Sequence, residues 1–269
     1  GIGSVVSSVV DGGDEKAAAK LNTLIDATNR FNSDNASFAQ FQAEGLAKLK
    51  GGFAEGAITN QPHFDRLQAD LEKAKKEGST FKEVDAERDN VLSILNELVP
   101  VYKDLTAYDD SKAYMNDGGA KGKELAAKYV AVVEKFDAAY AKFNETLNKV
   151  NAEQSKKQIE KLKKDGKKGY AAAMESTLRL TELVDKLEKA PQNADKAAVE
   201  KELSEIEALL KSINNDRGQV LADRYNSVVG DVRQVLADPS DNNLNNMIEG
   251  FNGYIDTYNS TTPDQFDAK

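Results

Sequence analysis

No cysteine occurs in the 269 residues, which excludes a disulfide scaffold, a thiolate metal site and a cysteine nucleophile. Tryptophan is also absent, and there is a single histidine, His63. A di-iron carboxylate bundle needs a Glu-x-x-His pair twice, so one histidine rules it out. The His-x-x-Glu of imelysin-like envelope proteins is missing too, because Phe64, Asp65 and Arg66 follow His63. No stretch of about 18 apolar residues could cross a bilayer as a helix. No glycine-rich phosphate loop follows a strand, and no alternating apolar pattern of useful length marks one. Only five prolines interrupt the chain.

What is present favours helix. The chain is 40% hydrophobic and 30% charged, and the acids outnumber the bases, 45 to 36, for a net charge of -9. Low proline with abundant Ala, Lys, Glu, Leu and Gln suits helices. An acidic chain repels phosphates, so no nucleic-acid partner is expected.

The first residue is Gly1 rather than methionine, and the expectation is of a processed chain with any export signal upstream. Residues 1–13 are mostly Gly, Ser and Val without helical periodicity, and read as a tether. From Asp14 apolar residues recur every three or four positions. Leu21, Leu24, Ile25, Thr28, Phe31, Phe38, Phe41, Leu46 and Leu49 form one stripe of a helix expected to run from Asp14 to Lys50, roughly 55 Å at 1.5 Å per residue. Residues 32–35 are the place for a bend. A second helix is expected from Pro62 to near Gly78. Thr80 should cap a third, whose seam is Phe81, Val84, Val91, Leu95, Leu98, Tyr102 and Leu105, broken by Arg88, with a kink at Pro100.

A fourth helix carries Leu125, Tyr129, Val132, Phe136, Phe143, Leu147 and Val150. It then turns polar from Asn151 to Gln158, which reads as a helix leaving the core. Shorter helices follow, ending at Ala190-Pro191, near Asn214-Asn215, at Pro239 and after Tyr258. The expected fold is all-α: an elongated helical bundle with long N-terminal and shorter C-terminal helices. It is read as one domain over 14–262, with 263–269 a tail.

The two ends echo each other. Leu21–Asn29 reads L-N-T-L-I-D-A-T-N, and Phe251–Asn259 reads F-N-G-Y-I-D-T-Y-N. Each puts a polar line beside its buried stripe at i, i+4 and i+7: Asn22, Asp26 and Asn29, or Asn252, Asp256 and Asn259. Either these groups fix helix register against their neighbours, or the two lines face each other as a small polar binding site. The echo also leads to the expectation that the first and last helices pack side by side.

Both ends, with the D-G-K-K-G-Y run at Asp165–Tyr170, resemble the YiiG-like family of uncharacterised bacterial lipoproteins, a domain of unknown function. The likeness runs from about Lys20 to Tyr258. It implies export, an acylated cysteine just ahead of the mature chain, and an all-helical domain on the periplasmic side of the envelope. That cysteine is not in this sequence. The membrane would then be met only through the lipid anchor. The resemblance supplies no catalytic residue.

Three further motifs invite a structural reading. His63 stands at a helix start, exposed or capping. Asp238–Glu249 has acidic or polar groups at loop positions one, three, five and twelve of a calcium site, but Asn243 replaces the glycine at six and Pro239 breaks the frame, so it reads as a capped helix start. Seven lysines and two acids lie between Lys156 and Lys168, a solvated face or a patch for anionic surfaces. Function is therefore expected to be non-catalytic: an envelope binding or scaffolding module that meets another envelope protein or an anionic surface. The alternative is a small-molecule-binding bundle using the polar lines. No enzyme activity, cofactor or metal is expected.

Overall fold

The computed structural model describes residues 15–269, and of Glu15 the backbone alone. The tether read at 1–13 lies outside them. The chain is 84% helical, with ten α-helices and no strand among the described residues, so the all-α helical bundle expected from the periodicity is what forms. No helix of the described residues is long and apolar enough to cross a membrane. Where one domain was read over 14–262, the chain groups into two compact units, one of residues 1–36 with 147–269 and the other of 37–146.

The unit of 37–146 holds α2 (Ala39–Lys50), α3 (Phe64–Glu77), α4 (Lys82–Asp110), the single turn α5 (Tyr114–Asp117) and the first part of α6 (Ala120–Lys164). The seam of α4 buries Val84, Val91, Leu95, Leu98 and Leu105 as its spacing requires. Arg88, which interrupts that seam, is nonetheless only 4% exposed. Its guanidinium is neutralised within one turn, 3.1 Å from both Asp85 and Asp89. Phe64 sits among aromatic rings, edge-on to Phe136 at 5.0 Å and to Tyr102 at 6.2 Å. The Tyr129 hydroxyl donates to Gln61 Oε1 at 3.0 Å, and Gln61 Nε2 donates to the Gln42 carbonyl at 2.8 Å.

One local expectation changes. Thr80 does not cap α4; its N–H and hydroxyl instead donate to the Asp85 carboxylate inside the helix. Pro100 lies on the exposed face of α4, and the helix runs on past it.

The other unit holds α1 (Glu15–Ala36), the last part of α6, then α7 (Lys168–Lys189), α8 (Lys196–Lys211), α9 (Asp216–Ala237) and α10 (Asp241–Ser260). The helix expected over 14–50 breaks after Ala36, and Phe38 and Phe41 are 50% and 56% exposed rather than buried. The break follows the Asn-Ser-Asp-Asn run. The Asn35 amide donates to the Phe31 carbonyl at 2.6 Å, a local side-chain bond of the kind that competes with helical pairing. Helices α8, α9 and α10 each start on a side-chain cap, from Asp195, Asn215 and Ser240. Helix α7 packs on α8 and α10, and α9 on α8 and α10. Arg179 of α7 is forked onto Glu202 of α8 at 2.7 and 2.8 Å and also meets Glu205.

Candidate functional site

Helices α1 and α10, both in the unit of 1–36 with 147–269, pack against each other as the echo requires. Leu21, Ile25 and Thr28 are buried on one, and Phe251, Ile255 and Tyr258 on the other. The polar lines run along the borders of these stripes. Asn22, Asn29 and Asn252 are half-buried, while Asp26, Asp256 and Asn259 reach solvent. Asn29, Asn252 and Asn259 each engage a neighbour. Desolvation raises the Asp26 carboxyl above the usual range, with Arg30 pulling it back, and desolvation alone raises Asp256. Asn22 differs from the rest: its Oδ1 is shut away from solvent without a hydrogen-bond partner.

That orphaned oxygen has counterparts on α6. The stretch Asn151–Gln158, expected to leave the core, stays in it: Asn151 is 2% exposed, Ser155 0% and Gln158 5%. The correction has a simple cause. Tyr129, Val133, Phe136 and Tyr140 set a register of three- and four-residue steps. The same register continues through Asn144, Asn148, Asn151, Ser155 and Gln158 to Leu162. Apolar neighbours on the same buried face, Leu147, Val150 and Ile159, keep these turns in the core.

Within the unit of 1–36 with 147–269, three successive positions of this line carry buried oxygens with no hydrogen-bond partner: Asn148 Oδ1, Asn151 Oδ1 and Ser155 Oγ. Asn144 Oδ1, in the other unit, is in the same condition. A buried acceptor left unpaired costs about 1–3 kcal/mol, so three on two helical turns are costly to keep. The charged residues of these turns, Lys149, Glu153, Lys156 and Lys157, all point to solvent. The seam is therefore polar but uncharged.

A third feature lies at the start of α7. The segment 263–269, read as a tail, folds back as a short 3-10 turn, Pro263–Asp267. The Asp267 carboxylate accepts the backbone N–H groups of Gly169 at 2.6 Å and Tyr170 at 3.1 Å, capping α7 from a distant part of the chain. Phe266 is buried and stacks on Tyr170 at 6.2 Å and on Tyr258 at 6.1 Å. Asn215 Nδ2 reaches the carbonyls of Gln265, Phe266 and Ala268 at 3.0–3.2 Å. The D-G-K-K-G-Y run is thus the receptor for the chain's own last residues. Gly166 takes a positive φ of 77° in its turn, and Gly169 has no room for a Cβ against the Phe266 carbonyl.

Residues 15–220 match a family described as a protein of unknown function, DUF3829. The chain belongs to this family. No curated protein and no solved structure matches it. The DUF3829 span takes in α1, the α6 seam and the Asp165–Tyr170 run, whereas α10 and the Asp267 clamp lie beyond it.

The remaining motifs of this DUF3829 chain lie at helix starts and on exposed faces. His63 is exposed ahead of α3 and makes no side-chain cap. Ser240 caps α10 through Asn243 N–H at 3.2 Å, so Asp238–Glu249 is a capped helix start. The lysines from 156 to 168 are exposed, with Lys163 near Glu160 and Glu175 and Lys167 bonded to Asp264 at 3.0 Å. Among the described residues, no group of three or more His, Asp and Glu is placed to hold a metal ion.

Proposed function

We propose that this DUF3829 protein is a non-catalytic binding module of the bacterial cell envelope, held on the periplasmic side by a lipid anchor upstream of Gly1. The observation that carries the binding reading is the line of buried, unpartnered oxygens at Asn148, Asn151 and Ser155 of α6, with Asn22 Oδ1 of α1 in the same condition. These are neutral amides and a hydroxyl, groups that recognise a ligand by hydrogen bonding. The envelope reading is supported by likeness to YiiG-like lipoproteins in the aromatic-Asn and Ile-Asp pairs of both ends and in Asp165–Tyr170.

The test has two arms. The gene with its native upstream sequence is expressed in its own host, labelled with radioactive palmitate and fractionated. Label in a membrane-bound, periplasm-facing band supports the envelope reading, and an unlabelled cytoplasmic band overturns it. Native mass spectrometry of the protein isolated from those cells supports the binding reading if a stoichiometric small mass rides with it. It counts against that reading if only the bare chain mass is found.

A further inference from the structure

We infer that the lysine stripe at the end of α6 and the start of α7 docks the protein onto an anionic phospholipid surface. This rests on the envelope reading and names the surface the module meets there.

The run 156–168 carries seven lysines and two acids, a net +5 in a chain whose net charge is -9. On α6, Lys157, Lys161 and Lys164 follow one another at steps of four and three residues, along roughly 10 Å of axis at 1.5 Å per residue. They lie on the side away from the buried Ser155, Gln158, Ile159 and Leu162. Lys156 flanks this stripe, and Lys168 stands past the turn at the start of α7. All five are exposed, and none is in an ion pair among the described residues. Glu160 is drawn to Lys163 at 3.7 Å, and Lys167 is held by Asp264 at 3.0 Å. Other helices pair lysines at the same spacing: Lys128 meets Glu124, Lys189 meets Asp185 and Lys211 meets Glu207.

Like charges three and four residues apart repel along a helix. The negative end of the α6 dipole eases this at Lys161 and Lys164 in the last turn, but Lys157 lies a turn further in. An anionic partner relieves it along the whole stripe. Composition selects the partner. Every cation of the run is a lysine, and its apolar residues, Ile159 and Leu162, are buried. Protein interfaces are depleted in lysine and anchored by buried aromatic or arginine side chains, which this face does not offer. Nucleic-acid phosphates are repelled by the acidic remainder of the chain. A field of lipid headgroups needs charge alone, and a polybasic cluster is the pattern that meets it. Such a patch also supplies the second signal that firm anchoring takes beside a lipid chain.

The experiment is co-sedimentation of the full chain with vesicles of phosphatidylcholine alone or mixed with phosphatidylglycerol, at low and high salt, with soluble polyglutamate as the acidic-polypeptide comparison. Wild type is compared with the quadruple variant Lys157→Gln, Lys161→Gln, Lys164→Gln and Lys168→Gln, and with the same four positions changed to Arg. A control of equal charge change carries Lys73→Gln, Lys76→Gln, Lys103→Gln and Lys201→Gln, all at exposed positions. Circular dichroism checks that each variant keeps its helix. The expected result is binding to phosphatidylglycerol vesicles only, lost at high salt as screening sets in. It should weaken tenfold or more in the stripe Gln variant and persist in the Arg variant and the control. Absent binding, equal binding to neutral vesicles, or equal loss in the stripe variant and the control overturns the inference. Stripe-dependent binding of polyglutamate without vesicle binding also overturns it, in favour of an acidic protein partner. Failed vesicle binding with palmitate label present overturns this inference alone; an unlabelled cytoplasmic band with vesicle binding intact overturns the envelope reading alone.

Discussion

Replacing Asn151 by Leu should stabilise the ligand-free protein. The two side chains have the same number and branching of heavy atoms, and Asn151 is 2% exposed with its Oδ1 unpartnered. Removing a buried unpaired acceptor recovers about 1–3 kcal/mol of desolvation cost, and the leucine methyls add apolar burial. A loss of the amide's own N–H bonding works in the other direction, by about 1 kcal/mol. The net expectation is a gain of roughly 1–2 kcal/mol, which raises the melting temperature by about 2–4 °C per kcal/mol for a unit of this size. Because the chain forms two compact units, thermal and urea unfolding are followed by far-UV circular dichroism and tested for separate transitions. The gain should fall in the transition of the unit that contains residue 151. Destabilisation by about 1 kcal/mol or more would refute the reasoning, because a paired amide oxygen loses a bond on substitution and an unpaired one does not.

Phe266→Ala should cost about 3 kcal/mol by emptying the space between Tyr170 and Tyr258, read as a lowered urea midpoint. Asp267→Ala should cost about 1 kcal/mol through the lost α7 cap and speed amide exchange at Gly169 and Tyr170. Arg88→Ala should destabilise the unit of 37–146 by about 3 kcal/mol, since the buried guanidinium paired with Asp85 and Asp89 disappears from the core; Arg88→Met, which keeps the stem, should cost less. Asp26 and Asp256 have raised pKa values, so the folded state binds protons more readily than the unfolded one. Their effect is that stability declines as pH rises from about 4, the unfolded aspartate value, through the raised folded values. The double variant Asp26→Asn with Asp256→Asn should flatten that part of a melting-temperature profile, and an unchanged profile would count against it.

Helix existence and core faces were legible in the sequence because burial follows from spacing alone. The seam of α4 and the stripes of α1 and α10 fall where apolar steps of three and four place them. The adjacency of the first and last helices was legible too, from a nine-residue echo identical at four positions. Three features were hidden in whole or in part, for physical reasons. The place of the break was legible in residues 32–35, but a full stop after Ala36 depends on side-chain competition for backbone groups, which periodicity does not weigh: Phe38 and Phe41 keep the helical spacing and still face water. The α6 seam was misread because its residues are polar, although their register is continuous with Tyr129, Val133, Phe136 and Tyr140. Phase, not composition, decides which face a helix buries. The clamp at 263–269 is a long-range contact, and nothing local in Phe266 or Asp267 names Tyr170 as its partner.

The most direct measurement is a high-resolution crystal structure of the protein purified from its native host, with the density along α6 resolved at atomic detail. The account predicts Asn148, Asn151 and Ser155 enclosed in the bundle, with non-protein density within hydrogen-bond reach of at least two of their oxygens. Those oxygens bonded to protein groups, or turned out into solvent, would contradict it.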